Sequence, residues 1–66
     1  METYTRIISF KGDVLSVTFK YYTDQAKVCQ VNFINGERRH HFTDDYITEL
    51  EIWLIENDDM WMNDVN

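Results

Sequence analysis

The chain has no proline, two glycines and a single cysteine among its 66 residues. One cysteine cannot form an internal disulfide, and no residue pattern with zinc-ligand spacing replaces it. The chain also lacks an apolar N-terminal run and any apolar stretch of about 18 residues, so neither a signal peptide nor a membrane span is expected. We therefore expect a cytoplasmic protein without covalent or metal staples.

Basic side chains are missing after Arg39. Residues 42–66 hold eight carboxylates and no lysine or arginine, whereas residues 1–41 carry six basic and four acidic side chains. The two parts have formal charges of −8 and +2, which sum to the net −6 of the chain. Charge segregated in this way predicts a polarised surface that attracts basic partners and repels nucleic acid.

The length of the chain limits it to one small domain, for which we take residues 1–66. Its hydrophobic fraction of 44% is too high for a disordered acidic tail. Residues 58–66 are expected to form an acidic and aromatic tail, either folded back on the core or left for a partner. A homodimer is also expected, because so small a core leaves apolar surface for a second copy to cover.

Period-two alternation predicts β-strands between Tyr4 and Phe42. The segments 4–10 and 14–22 are the first two strands, with turns at 11–13 and 23–26. The alternation is most regular in the second strand, whose apolar side chains share one face: Leu15, Val17, Phe19 and Tyr21.

Asn35-Gly36 predicts a two-residue type I′ hairpin, because both residues tolerate positive φ. This turn would add a fourth strand and place Cys29 on an apolar face. The predicted cross-strand pairs are Phe33 with Arg38, Val31 with His40, Cys29 with Phe42, Asn32 with Arg39 and Gln30 with His41.

After Phe42 the apolar period lengthens to that of a helix. Thr43 or Asp44 is suited to cap the first turn, and Asn57 to end the helix in a left-handed conformation. One arc of about 120° collects the apolar side chains that would face the sheet: Tyr46, Ile47, Leu50, Trp53 and Leu54. The predicted fold is α+β, a four-stranded antiparallel β-meander with one C-terminal helix packed on it.

The outward side of this helix is the first candidate site. Asp45, Glu49 and Glu56 share it, with a rise of about 6 Å between the first two and about 10 Å to the third. These spacings are comparable with phosphate steps of about 3.4 Å along a nucleic-acid strand. Ile52 lies among the carboxylates and would give a partner a desolvated anchor. The competing interpretation is an ordinary solvated helix face.

The tail is the second candidate site and consists of Asp59, Met60, Trp61 and Met62. Tryptophan and methionine are enriched at protein interfaces. The alternative is that Trp61 caps the core, because a small domain needs the buried area. The basic run 38–41 is a third candidate, which would contact phosphate or pair with the acidic helix of its own chain.

Enzymatic function is not expected from these residues. Adjacent His40 and His41 point to opposite faces of a strand, and an apolar face would keep the thiol of Cys29 inert. No glycine pattern of the phosphate-binding kind is present. We expect no catalytic residue, no metal site and no cofactor.

The small size, the acidity, the missing proline and the sheet-plus-helix pattern together resemble the small phage-encoded proteins that block a host machine, among them anti-CRISPR proteins and DNA mimics. This resemblance covers the character of the whole chain and includes no shared motif. It implies a stoichiometric inhibitor in the host cytoplasm that occupies the basic groove of a nucleic-acid-handling protein.

Three functions remain as hypotheses. The first is a non-catalytic binding protein whose acidic helix docks on a basic surface of a larger protein. The second is a homo-oligomeric structural or regulatory module that associates through an edge strand or the tail. The third is a minimal RNA-binding sheet, which the net charge opposes, so direct nucleic-acid binding is not expected.

Overall fold

The computed structural model describes residues 2–62, so the last four residues of the predicted tail, including Asp64, lie outside it. Three antiparallel strands form a sheet in the order β1-β2-β3, followed by two helices. The elements are β1 (Glu2–Phe10), β2 (Asp13–Tyr22), β3 (Gln25–Phe33), a 3₁₀ turn (Ile34–Gly36), α1 (Asp44–Glu56) and α2 (Asp58–Met62). No helix within the described residues is long and apolar enough to cross a membrane.

The central strand β2 supplies the middle of the core, as its alternation predicts. Leu15, Val17 and Phe19 are completely buried under the helices, while Lys20 and Tyr22 point to the opposite, open face. Because β2 pairs with a neighbour on both sides, its inward row meets side chains from both edge strands. The predicted meander is thus confirmed for its first three strands.

Both hairpins turn through two residues, and each turn contains left-handed backbone. Lys11 and Gly12 have φ of 51° and 81° between the paired residues Phe10 and Asp13. The second turn places Thr23 at φ 55°. A β-branched side chain is strained in this region, because its branches meet the neighbouring peptide groups.

Replacing Thr23 by asparagine should therefore raise the free energy of unfolding by about 1 kcal/mol, since asparagine tolerates left-handed backbone far better. Urea denaturation followed by circular dichroism measures the change. Thr3→Asn, in the regular part of β1, is the control and should be neutral or destabilising. A Thr23→Asn protein less stable than the wild type would contradict the strain at this turn.

The predicted fourth strand does not form. After β3 the chain makes a 3₁₀ turn over Ile34–Gly36 instead of a type I′ hairpin, and Glu37 donates its N–H to the Ile34 carbonyl at 3.3 Å. Residues 37–43 then run as irregular chain, so none of the predicted pairs between them and β3 exists. The physical reason is that Arg39 and His40 reach Asp13 at the end of the β1–β2 hairpin, so the segment does not run along the edge of β3. His40 and Phe42 nevertheless pack on Phe33 at the end of β3.

Cys29 is exposed, so its predicted place on an apolar face is wrong. The pairing of β3 with β2 shifts between Thr18 and Phe19, where Gln30 and Val28 are the partners and Cys29 is the extra residue. Such a β-bulge resets the alternation of the strand. Val28 therefore faces the core together with residues 31 and 33, and the thiol points outward.

Helix α1 begins as predicted. The Thr43 hydroxyl accepts a hydrogen bond from the Tyr46 N–H at 3.1 Å, which caps the first turn. Leu50 and Leu54 are completely buried, and Tyr46 and Trp53 pack partly buried against the core. Ile47, the remaining member of the predicted arc, is also partly buried. The helix ends at Glu56 with Asn57 as its C-cap, whose φ of −117° is not the predicted left-handed conformation. The chain then continues as α2, so two helices stand in place of the single predicted one.

Candidate partner-binding surface

The outward side of α1 carries the residues predicted to meet a partner. Asp45, Glu49, Ile52 and Glu56 are all exposed, and we call these four residues the acidic face. The buried side chains of Leu50 and Leu54 lie on the opposite side of the same helix. At 3.6 residues per turn the sequence places the exposed and the buried residues in two separate rows. The buried row fixes the helix to the sheet and thereby fixes the direction in which the acidic face points.

Three of the seven carboxylates between residues 44 and 62 form an ion pair or a hydrogen bond within the molecule. Both oxygens of Glu49 lie 2.9 Å from the Lys11 ammonium. Glu51 accepts the backbone N–H of Val28 at 2.8 Å. Asp58 accepts a hydrogen bond from the Tyr21 hydroxyl at 2.8 Å, which raises the pKa of that phenol.

The other four carboxylates of this segment form no ion pair or side-chain hydrogen bond with any residue in 2–62. They are Asp44, Asp45, Glu56 and Asp59, and all four are exposed. Since no lysine or arginine follows Arg39, no basic side chain of the helical segment compensates them. Their charge is directed to solvent and is available to a cationic partner.

Apolar side chains accompany this charge. Ile52, Met60 and Met62 are 48%, 64% and 44% exposed, and all three belong to α1 or α2. Methionine adapts to irregular partner surfaces, and an apolar centre with a charged rim is the usual composition of a protein interface. The helical side of the molecule thus has both components of such an interface.

Trp61 is in the core, as the alternative interpretation of the tail predicts, and is not exposed as a binding residue. It is 3% exposed, and its indole N–H donates to the Leu54 carbonyl at 2.7 Å. Its ring lies 4.9 to 5.1 Å from the rings of Tyr4, Phe19 and Tyr21. The tail residue with the largest apolar area therefore fastens α2 to the sheet.

Asp13 is the centre of a polar network that sequence reasoning did not find. This carboxylate is 4% exposed. It receives hydrogen bonds from the Nε2 atom of His40 and the hydroxyl of Tyr46, both at 2.8 Å, and the Arg39 guanidinium lies 3.1 Å away. Three side chains from after β3 thus converge on the first residue of β2.

The protonation equilibria of this network follow from those contacts. The hydrogen bond from His40 holds the pKa of Asp13 below its ordinary value, with a further contribution from Tyr46. The His40 pKa is raised by its hydrogen bond to the His41 carbonyl and by Asp13. Burial, followed by the contact with Asp13, raises the Tyr46 pKa.

The pKa shifts of Asp13 and His40 predict a limited pH range of greatest stability. The Asp13 contribution is present above its ordinary pKa of 3.8 and is lost as the pH falls through the lower folded value. The His40 contribution is complete below its ordinary pKa of 6.5 and is lost as the pH rises through the higher folded value. Both are therefore fully present only between about pH 4 and 6.5.

Thermal unfolding of the wild type and of His40→Gln between pH 3 and 9 checks this range. The difference between their Tm values should be greatest between about pH 4 and 6.5 and should shrink at higher pH, because the wild-type imidazole loses its extra proton there. His41→Gln, whose ring is exposed, is the matched control. A Tm difference that stays constant up to pH 9 would contradict the ion pair with Asp13.

The network is arranged to hold the chain together. Both ring nitrogens of His40 are engaged, one with Asp13 and the other with the His41 carbonyl at 3.0 Å. The imidazole packs edge-on against Phe33 at 5.1 Å, which also stacks on Phe42 at 4.8 Å. Two residues of the basic run 38–41, Arg39 and His40, thus anchor segment 37–43 to Asp13.

Within residues 2–62 no group of three His, Cys, Asp or Glu side chains is placed to hold a metal.

Both edges of the sheet carry a side chain that occupies a backbone group. On β1 the Arg6 guanidinium donates to the Thr5 carbonyl and to the Trp61 carbonyl, both at 3.0 Å. On β3 Glu51 occupies the Val28 N–H, next to the bulge at Cys29. Occupied edge groups and bulges oppose the addition of another strand.

The search for similar proteins gave no match: no protein-family model, no curated protein and no solved structure is similar to this chain.

Proposed function

We propose that the protein is a non-catalytic binding protein that docks the acidic face of α1 on a basic surface of a larger protein. The observation that carries this proposal is the division of the helix. One row is buried in the core, while the outward row presents Asp45 and Glu56 with no compensating base in the same segment. A rigid charged surface of this kind steers a cationic partner and fixes its orientation.

The partner class that fits best is a protein that handles nucleic acid. Such proteins have grooves lined with lysine and arginine that match the phosphate spacing of a strand. The carboxylates at 45, 49 and 56 are spread over about 16 Å of helix, which is comparable with several phosphate steps. Occupation of such a groove would inhibit its owner, as in the phage-encoded inhibitors that the chain resembles, and would take place in the host cytoplasm.

Charge reversal tests the proposal. The protein carrying Asp45→Lys and Glu56→Lys is compared with one carrying Asp24→Lys and Glu37→Lys, which has the same net charge but is altered outside the helices. Each is used as bait in a bacterial lysate at two salt concentrations, and the captured proteins are identified by mass spectrometry. Circular dichroism establishes that both variants fold.

We expect the wild type and the control to capture the same salt-sensitive basic protein. The helix variant should bind it at least about tenfold more weakly, because two reversals at a surface cost about 1.4 kcal/mol or more together. An equal loss in both variants would assign binding to net charge alone, and an unchanged affinity of the helix variant would remove the acidic face from the interface.

The homo-oligomeric module is a weaker second candidate. Its support is the exposed apolar pair Ile7 and Val14 on the open face of the sheet, 67% and 51% exposed. Pairing through the edges is opposed by Arg6 and Glu51, which occupy edge backbone groups. Sedimentation equilibrium separates the two candidates, because a monomer at all concentrations removes the second.

A further inference from the structure

A surface hollow lies beside the acidic face, between the first hairpin and α1. Aromatic side chains from the sheet and the helix line it together with two carboxylates and one lysine; its residues are Phe10, Lys11, Glu49, Ile52, Trp53 and Glu56. Phe10 and Trp53 pack edge to face with ring centroids 6.2 Å apart. The hollow thus combines aromatic surface with negative charge, which is the composition that binds cationic side chains.

The chain's own Lys11 shows that a cation is stable at this place. Its ammonium lies 2.9 Å from both carboxylate oxygens of Glu49 and 5.9 Å from the centre of the Phe10 ring. Both partners of this ion pair are about half-exposed, at 49% and 52%. The lysine therefore approaches from the rim, and a second cation has access from solvent.

Glu56 lines the same hollow and has no ion pair with a residue in 2–62, so one carboxylate remains for an incoming charge. Trp53 is only partly buried and contributes the aromatic ring that attracts a guanidinium most strongly. Arginine suits this arrangement better than lysine, because its planar group stacks on an indole and donates to a carboxylate at the same time.

We propose that this hollow is an arginine-binding pocket, in which a partner's guanidinium stacks on Trp53, binds Glu56 and competes with Lys11 for Glu49. This inference deepens the proposed function and rests on it, since it names the side chain that the acidic face receives. Lys11 then acts as an internal substitute for the partner's cation, and it covers Glu49 until the partner arrives.

A capped Gly-Arg-Gly peptide titrated into ¹⁵N-labelled protein tests the pocket, with Gly-Lys-Gly at equal concentration for comparison. The two indole N–H signals are the readout. The Trp53 signal should shift with the arginine peptide and less with the lysine peptide. The Trp61 signal should stay in place, because its N–H is buried and bonded to Leu54.

Matched variants separate the pocket from the general attraction of an acidic protein. Lys11→Gln removes the competing cation, whereas Lys20→Gln causes the same change of net charge on the open face of the sheet. We expect Lys11→Gln to bind the arginine peptide about threefold more tightly than Lys20→Gln does, the effect of one charge at about 6 Å in water. Glu56→Gln should weaken binding more than Asp44→Asn.

Equal affinities for Lys11→Gln and Lys20→Gln, or a Trp53 signal that does not move, would overturn the pocket. Its failure is distinguishable from failure of the proposed function. If the charge reversal of the acidic face abolishes partner capture while the Trp53 signal stays still, the face binds without an arginine pocket. If the peptide shifts Trp53 but no basic partner is captured, the pocket stands and the proposed function falls.

Discussion

Replacing Trp61 by alanine should lower the free energy of unfolding by about 3–5 kcal/mol, the usual cost of removing a buried large aromatic side chain. The indole is enclosed by Tyr4, Phe19 and Tyr21 and bonded to the Leu54 carbonyl. A domain of this size has a total stability of about 3–10 kcal/mol, so the variant loses a large fraction of it and should unfold at a much lower urea concentration.

Urea denaturation followed by circular dichroism measures this loss. Met62→Ala is the control, because Met62 lies next to Trp61 in α2 but is 44% exposed. It should change stability by about 1 kcal/mol or less. A Trp61→Ala protein within about 1 kcal/mol of the wild type would place the indole outside the core and return it to the list of binding residues.

Removal of the two side chains that occupy the sheet edges should convert the protein into a self-associating one. Hydrogen-bonded and non-hydrogen-bonded pairs alternate along β1 and β2, starting with the hydrogen-bonded pair Phe10–Asp13 next to the turn. Thr5 is therefore in a non-hydrogen-bonded pair, and its carbonyl points away from β2. Without Arg6 this carbonyl would be free to pair with a new strand. Glu51 has the same role at the Val28 N–H of β3. Opened edges with unpaired backbone groups pair readily with another chain.

The double variant Arg6→Val with Glu51→Ala is expected to form dimers and larger species at concentrations where its control stays unchanged. The control carries Lys20→Val and Glu49→Ala, which makes the same changes of charge without freeing an edge group. Analytical ultracentrifugation over a concentration series gives the result. If both double variants associate to the same extent, the added hydrophobicity is responsible and the edges are not.

The parts of the fold that the sequence predicts are those in which one local period continues without interruption. The apolar alternation in β2 repeats over several residue pairs, and the apolar arc from Tyr46 to Leu54 repeats over more than two helical turns. Each pattern identifies the buried face of its element. Thr43 announces the helix start because its cap depends only on the next three residues. Local signals of this kind need no knowledge of the rest of the chain.

The missed features depend on contacts between distant residues. The bulge at Cys29 has no local signature, yet it reverses which β3 side chains face the core. Asn35-Gly36 is a good hairpin signal, but Asp13 binds Arg39 and His40 across 26 and 27 residues of sequence and prevents the fourth strand. A buried carboxylate in need of partners overrode the turn propensity.

The sequence predicts the charge of the candidate site but does not show which of its carboxylates are paired within the molecule. The sequence identifies Asp45, Glu49 and Glu56 as one side of the helix, and the structure exposes all three. It does not show that Glu49 is paired with Lys11, since the β1–β2 turn is distant in sequence. Two sequence positions do indicate carboxylates with internal partners, because on the helical wheel Asp58 and Glu51 lie only about 20° and 40° beyond the apolar arc.

The acidic face of α1 is the surface that we propose to receive the partner. Backbone amide shifts of ¹⁵N-labelled protein, titrated with the partner that it captures, locate the contact directly. We expect the largest shifts at Asp45, Glu49, Ile52 and Glu56, while the signals of Thr18 and Ile7 on the open face of the sheet stay in place. Shifts concentrated on that open face, with α1 unmoved, would contradict the proposal.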